Sequence, residues 1–315
     1  MEREPVIMLF QGGVSGEREI SLRSAAALLP HLRERFAVEV VTIDAAALPD
    51  GLDPARGVVF SVLHGVFGED GGMQQLLDEA GWCYAGCDAK ASALCMDKSR
   101  SKAVVAAGGV QVAEEWHLRE TETPAWSEVV ERLGTAVVLK PNAEGSSLGL
   151  FFPTDAASWA ESWAAMPSGD RLVETYVPGR ELSIGVLEGR ALGVVEVIPT
   201  SGQYDYASKY TPGASRYLAP APLDAATTAA VGLAAEKAFA VLGCRDYGRA
   251  DFRLTPEGEI YFLEMNTLPG MTESSIFPQS AACCGMNFSR CLEGLLAPAV
   301  RRWKDRFVTF TTSSS

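Results

Sequence analysis

Residues 6–10 read VIMLF, an unbroken apolar run that enters the turn sequence QGGVSG directly. A run this short is no helix, which needs about 10–12 residues, and it has no wet face. It predicts a strand covered on both sides, as in a parallel sheet between helix layers. The following EREISLRSAAALLPHL carries Ile20, Leu22, Ala26 and Leu29 close to helical spacing. FAVEVVTI (36–43) and VVFSV (58–62) are β-branched runs with polar or Gly/Pro borders, which predicts two more strands. MQQLLDEAG (73–81) predicts a helix stopped by glycine. This alternation predicts an α/β fold with a doubly wound parallel sheet over residues 1–90.

Beyond that point the pattern changes. Asp88 to Ala107 reads as one helix closed by Gly108–Gly109. AVVLK (136–140) and LGLFF (148–152) read as two strands that bracket the loop PNAEGSS. RLVETYV (171–177) is a further strand, and Pro178–Gly179 marks a boundary. ELSIGVLEG and RALGVVEVIP predict strands, followed by a long irregular stretch over 200–217. Loops of that length in compact domains are usually lids or binding loops. DAATTAAVGLAAEKAFAVLG (224–243) predicts a helix, YGRADFRLTP and GEIYFLEMN a strand pair, and Phe277 to Trp303 a last helix. Three parts are expected: 1–90, 91–178 and 179–315.

Composition narrows the function classes. Apolar residues are 47% and charged residues 21%, a globular balance. No stretch approaches the ~20 apolar residues of a membrane span. The opening MEREPVIMLF puts acidic residues before a very short apolar run, unlike a secretory signal, so a cytoplasmic location is expected. A net charge of −13 disfavours nucleic acid and acidic membranes as partners, so an anionic substrate would need locally gathered cations. Seven cysteines without a C-x-x-C pair, and only three histidines, argue against zinc and for reduced, small apolar cysteines.

Neither a Walker A motif nor a G-x-G-x-x-G fingerprint is present. Lys140 instead ends a strand before EGSSLG (144–149), where glycine frees backbone N–H groups for an anion and Ser146 and Ser147 add hydroxyl donors. By itself such a turn is also an ordinary surface feature. Asp251 lies in RADFRL, and Glu264 and Asn266 lie in FLEMN. Period two puts Glu264 and Asn266 on one face, and strand pairing would put Asp251 opposite. Oxygen ligands of this kind suit Mg²⁺ completed by phosphate and water. Arg249 shares the face of Asp251 and suits a developing oxyanion, the alternative being a simple ion pair with Asp251 or Glu264.

The pieces GGVSGEREIS, VLHGVFGEDGGMQ, the Lys98 motif CMDK, KPNAEGSSLG, ETYVPGRE, YDYASKY, GRADF and LEMNTLPGMT occur in one order. Together they resemble the D-alanine–D-alanine ligase family from about Val6 to Leu295. The resemblance implies an ATP-grasp fold of three α/β domains and an ATP-dependent carboxylate–amine ligase that makes D-alanyl-D-alanine for peptidoglycan through a D-alanyl phosphate. It implies D-alanine and ATP as substrates, two Mg²⁺ ions with Mn²⁺ as a substitute, and a homodimer. By position, Glu17 takes the ammonium of the first D-alanine and His64 lies near its carboxylate. Lys98 and Lys140 bind ATP phosphates, and Lys209 reaches the γ-phosphate. Glu174 and Glu181 hold adenine and ribose, with backbone bonds from Val177. Ser146 and Tyr210 hydrogen-bond with Glu17. Arg249 and the N–H of Gly270 cradle the tetrahedral oxyanion. Ser275 and the N–H of Ile276 bind the second carboxylate. Asp251, Glu264 and Asn266 hold the metal.

Outside this context, His64 reads equally as a core histidine and Glu17 as a first-turn helix acid favoured by the dipole. Rival functions are a ligase with D-lactate or D-serine as acceptor, a dipeptide ligase of secondary metabolism, and a non-catalytic ATP-binding protein on the same fold. Tyr210 in YDYASKY favours D-alanine as acceptor. The presence of Arg249, Lys209 and all the metal ligands favours catalysis.

Overall fold

The computed structural model describes residues 4–143, 145, 149–199 and 214–307. Ser146, Ser147, Lys209 and Tyr210, most of the expected 200–217 lid and the terminal Ser313–Ser315 lie outside the described residues.

The first sheet is parallel, in the order β2-β1-β3-β4, from Val6–Gly12 (β1), Val38–Ile43 (β2), Gly57–Ser61 (β3) and Cys83–Tyr84 (β4). Alternation explains why β1 is apolar throughout. Ile7 and Leu9 enter one core, with helix α1 (Arg18–Arg33), while Met8 and Phe10 enter another, with α2 (Gly72–Glu79). Both faces are therefore dry, as the unbroken run predicted.

The predicted helix over Asp88–Ala107 is two helices, α3 (Ala89–Met96) and α4 (Lys98–Ala107). They break at Asp97, whose backbone is extended and whose carboxylate accepts from the N–H of Arg100. An aspartate is a strong N-cap, and its tertiary partner Asn142 completes the break.

The second sheet is antiparallel, in the order β5-β7-β6, from Glu115–Leu118 (β5), Val137–Pro141 (β6) and Arg171–Thr175 (β7). Helices α5 (Trp126–Leu133) and α6 (Ala156–Ala165) cover it, with Val129, Leu133 and Trp159 in its core. Of the strand expected at 148–152, the described residues 149–152 hold a bridge between Leu139 and Phe151.

The third sheet is antiparallel, in the order β10-β9-β8-β11-β12. Its strands are Arg180–Leu187 (β8), Arg190–Pro199 (β9), Ser215–Leu218 (β10), Tyr247–Leu254 (β11) and Ile260–Asn266 (β12). Residues 215–218, read as irregular in the sequence, pair with β9. Helix α7 (Ala225–Val241) packs Val231, Ala235 and Phe239 on this sheet together with Cys95 and Val105 of α3 and α4. The final helical region is two elements, α8 (Ile276–Ala282) and α9 (Phe288–Phe307), and α9 buries Leu295 and Trp303 in the core of the first sheet. All seven cysteines are free. Among the described residues, no helix is long and apolar enough to cross a membrane.

Candidate active site

The loops that follow β1 and β3 meet at the edge of a cleft. Ser15 Oγ donates to the carbonyl of His64 at 2.6 Å and accepts from the N–H of Glu17 at 3.2 Å. Glu17 stands at the N-terminus of α1 without capping it, so its carboxylate is not spent on the helix. A Cβ on Gly65 would lie 2.7 Å from Glu17 Oε2, and Gly65 has φ +69°, so space and backbone both require glycine. The N–H of Gly65 donates to Glu69 Oε2 at 2.7 Å. Burial holds His64 below its ordinary pKa against the opposing charge of Glu17. Burial also pushes Glu69 up to about 8; the N–H of Gly65 and Arg249 resist, and Glu17 and Glu264 add repulsion. Acids gathered round one glycine favour a cation, such as an ammonium group.

Opposite them lies the corner formed by β11 and β12. Asp251 pairs with Glu264 and Arg249 with Asn266 in the cross-strand register. The face expected from period two is therefore present. Arg249 forks onto Asp251, with Nε to Oδ1 at 2.9 Å and Nη2 to Oδ2 at 2.7 Å. The simple ion pair held open in the sequence is thus present, and it leaves the guanidinium fixed in the cleft wall. Ser183 on β8 donates its hydroxyl to Asp251 Oδ1, as its register opposite Asp251 allows. Asn266 Oδ1 accepts from the N–H of Leu268 at 2.9 Å. Among the described residues no group of three or more His, Cys, Asp or Glu forms a metal cage. Two carboxylates and an amide are all oxygen donors, and they fit a hard cation that draws its other ligands from phosphate and water.

The cationic side comes from α4 and β6. Lys98 begins α4 at the Asp97 break, and its Nζ lies 3.5 Å from Glu264 Oε2. Asn142 fixes that break to the end of β6. Its carbonyl accepts from the N–H of Lys98 at 3.1 Å, its Oδ1 from the N–H of Ser99 at 3.0 Å, and its Nδ2 donates to Asp97 Oδ1 at 2.9 Å. Lys140 Nζ lies 2.9 Å from Glu174 Oε2. Glu174 is buried; burial works against its charge, but Lys102 and Lys140 hold its carboxyl down at about 2. Beyond β7, Arg253 donates to the carbonyl of Val177 at 3.1 Å and lies 3.5 Å from Glu181 Oε2.

The far end of the cleft is made by the turn into α8. Ser275 Oγ accepts from the N–H of Thr272 at 3.1 Å and also meets its hydroxyl at 2.7 Å. A Cβ on Gly270 would come 3.0 Å from Ser275 Oγ, so the two sites lie side by side. Ile276 opens α8, where first-turn N–H groups lack intrahelical partners.

Of the predicted residues that are described, Glu17 and His64 meet at one wall, Lys98 meets Glu264, and Arg249 meets Asp251. Glu174 meets Lys140, Arg253 meets both Val177 and Glu181, and Gly270 adjoins Ser275. Four contributors had no role assigned from sequence: Glu69, Lys102, Asn142 and Ser183. Each has a sequence signal. Glu69 lies in the quoted GVFGEDGG, Lys102 falls one helical turn after Lys98, Asn142 follows Lys140–Pro141, and Ser183 is an isolated hydroxyl inside an apolar strand.

The chain is similar to known proteins over most of its length. The family model described as D-ala D-ala ligase C-terminus matches residues 104–297. A D-alanine–D-alanine ligase from Methylacidiphilum infernorum is 39% identical, with 95% of this chain and 96% of that protein aligned. One from Anaeromyxobacter sp. is 43% identical over 92% of this chain and 95% of its own. Among solved structures, the VanG D-Ala:D-Ser ligase from Enterococcus faecalis superposes with a TM-score of 0.83 at 29% identity, covering 94% of this chain and 99% of that one. The Bacillus anthracis D-alanine–D-alanine ligase complexed with ATP has a TM-score of 0.81 at 24% identity, over 96% and 99% of the two chains, and supports the ATP-grasp fold. With the fold and these matches in agreement, the chain belongs to the D-alanine–D-alanine ligase family.

Proposed function

We propose that this protein is an ATP-dependent D-alanine–D-alanine ligase that works in the cytoplasm, as a homodimer, in peptidoglycan synthesis. The observation that carries the reading is Lys98 Nζ at 3.5 Å from Glu264 Oε2, which joins a phosphate-type cation to the metal-type acids in one cleft. A carboxylate is a poor electrophile, and phosphorylation by ATP supplies a leaving group. The carboxylate of the first D-alanine attacks the γ-phosphorus, and ADP leaves. The amine of the second D-alanine then attacks the acyl phosphate, and inorganic phosphate leaves. The chain positions reactants and neutralises charge rather than reacting covalently.

Glu17 holds the first ammonium beside His64, Lys98 and Lys140 hold phosphates, and Lys209 reaches the γ-phosphate. Glu174, Val177 and Glu181 hold the nucleoside. Arg249 and the N–H of Gly270 face the oxyanion, and Ser275 with the N–H of Ile276 faces the second carboxylate. Ser146 and Tyr210 complete the contact with Glu17. Asp251, Glu264 and Asn266 would hold Mg²⁺, two ions with Mn²⁺ as a substitute, which supplies charge neutralisation at the phosphates when bound.

The test is ADP release across a panel of D- and L-alanine, D-serine and D-lactate. Release is expected to require ATP, Mg²⁺ and D-alanine, with L-alanine nearly inert. Equal turnover with L-alanine sinks the assignment. The D-serine arm tests the activity named for the Enterococcus faecalis structure.

A further inference from the structure

Lys102 is fully buried. It lies one turn after Lys98 on α4, so the two side chains leave the helix on the same side. An unpaired ammonium in that position would be costly, so its partners define its task. Its Nζ is held on Glu174 Oε1, with Glu115 Oε2 at 3.8 Å. Glu115 and Glu174 stand directly opposite one another on β5 and β7. Like charges in that relation repel. Lys102 bridges them, and Ser99 Oγ donates to the other oxygen of Glu115 at 2.7 Å. The second oxygen of Glu174 is thereby left to Lys140, at 2.9 Å.

We propose that Lys102 is a positioning residue for the nucleotide-phosphate site, acting on Lys140 through the carboxylate of Glu174. With Oε1 held by Lys102, Glu174 turns Oε2 to Lys140. An ammonium has three donors. Lys140 can therefore be anchored by one and keep the others for a phosphate. Without Lys102, buried Glu174 faces half-buried Glu115 with Lys140 as the nearest remaining cation. Lys140 is drawn inward as their counterion, and phosphate binding weakens. The inference rests on the reading of this cleft as a nucleoside triphosphate site.

Steady-state kinetics with ATP and D-alanine varied separately test it. Lys102→Met is expected to raise the KM for ATP about tenfold, the scale of one lost charge-assisted contact, with kcat and the KM for D-alanine little changed. Lys102→Arg, which keeps the cation, is expected to recover most of the ATP KM. A merely structural lysine would lower Tm and the active fraction without this split. An ATP KM within twofold of wild type, or an equal rise for D-alanine, overturns the proposal. Should Lys102→Met not fold, the double variant Lys102→Met/Glu174→Gln removes the buried pair as a unit, which is often tolerated. Its ATP KM is expected to stay within about threefold of that of Glu174→Gln alone, because Lys102 acts on Lys140 chiefly through Glu174. A much higher KM in the double variant overturns the proposal. Wild-type protein that releases no ADP overturns the functional reading as well, whereas normal wild-type turnover with an insensitive Lys102→Met overturns the positioning role alone.

Discussion

Arg249 grips Asp251 through both carboxylate oxygens, at 2.9 and 2.7 Å, while Glu264 faces the same aspartate from the next strand. Asp251 is therefore shared between an arginine that suits an oxyanion and an acid that suits a metal. Asp251→Asn and Glu264→Gln are each expected to lower turnover on the order of 100-fold at limiting Mg²⁺, with a normal fold by circular dichroism. Full activity in both variants at ordinary Mg²⁺ would place the metal elsewhere.

Asn142 uses its carbonyl and both ends of its amide to tie the end of β6 to the start of α4. Asn142→Asp keeps the shape but sets one carboxylate against another at Asp97. The KM for ATP is expected to rise about tenfold, since Lys98 and β6 lose a common anchor. An unchanged ATP KM would mean that the anchor is dispensable.

Glu69 makes stability depend on pH in an unusual direction. Its carboxyl has a folded pKa of about 8 against an ordinary 4.5, so the folded state binds the proton more tightly. That advantage is complete below about 4.5 and is lost as pH rises through about 8. Glu69→Gln is neutral at every pH. The ligand-free variant is expected to melt several degrees above wild type at pH 9 and with it at pH 4. Equal differences at both values would contradict the buried-acid account.

Asp246 ties α9 to the segment after β4. Its buried carboxylate accepts two bonds from Arg302 of α9, at 2.7 and 2.6 Å, and one from the N–H of Gly86 at 3.0 Å. Asp246→Asn is expected to destabilise by about 3 kcal/mol, the cost of opening a buried pair, and to leave both substrate KM values within about twofold. Denaturant unfolding with parallel kinetics checks this; a selective rise in either KM would argue against a purely structural role.

How legible the chain was depended on the range of the interaction. VIMLF at the first strand, and the shared face of Glu264 and Asn266, follow from local periodicity, because a strand's side chains alternate whatever surrounds it. The family motifs likewise lie within short segments, so candidate site residues could be named in order. The break at Asp97 could not be read, because it needs Asn142, which reaches it only after β5 and β6 have paired through β7. Nor could the task of Lys102: a lysine one turn after Lys98 is ordinarily a solvated one, and only the second sheet buries it between two glutamates. The raised pKa of Glu69 is likewise a tertiary product, since burial and charges from two other parts of the chain act on one carboxyl. Periodicity and motif determined which residues face together. Dehydration and long-range pairing, which depend on the assembled sheets, decided how each was charged and held.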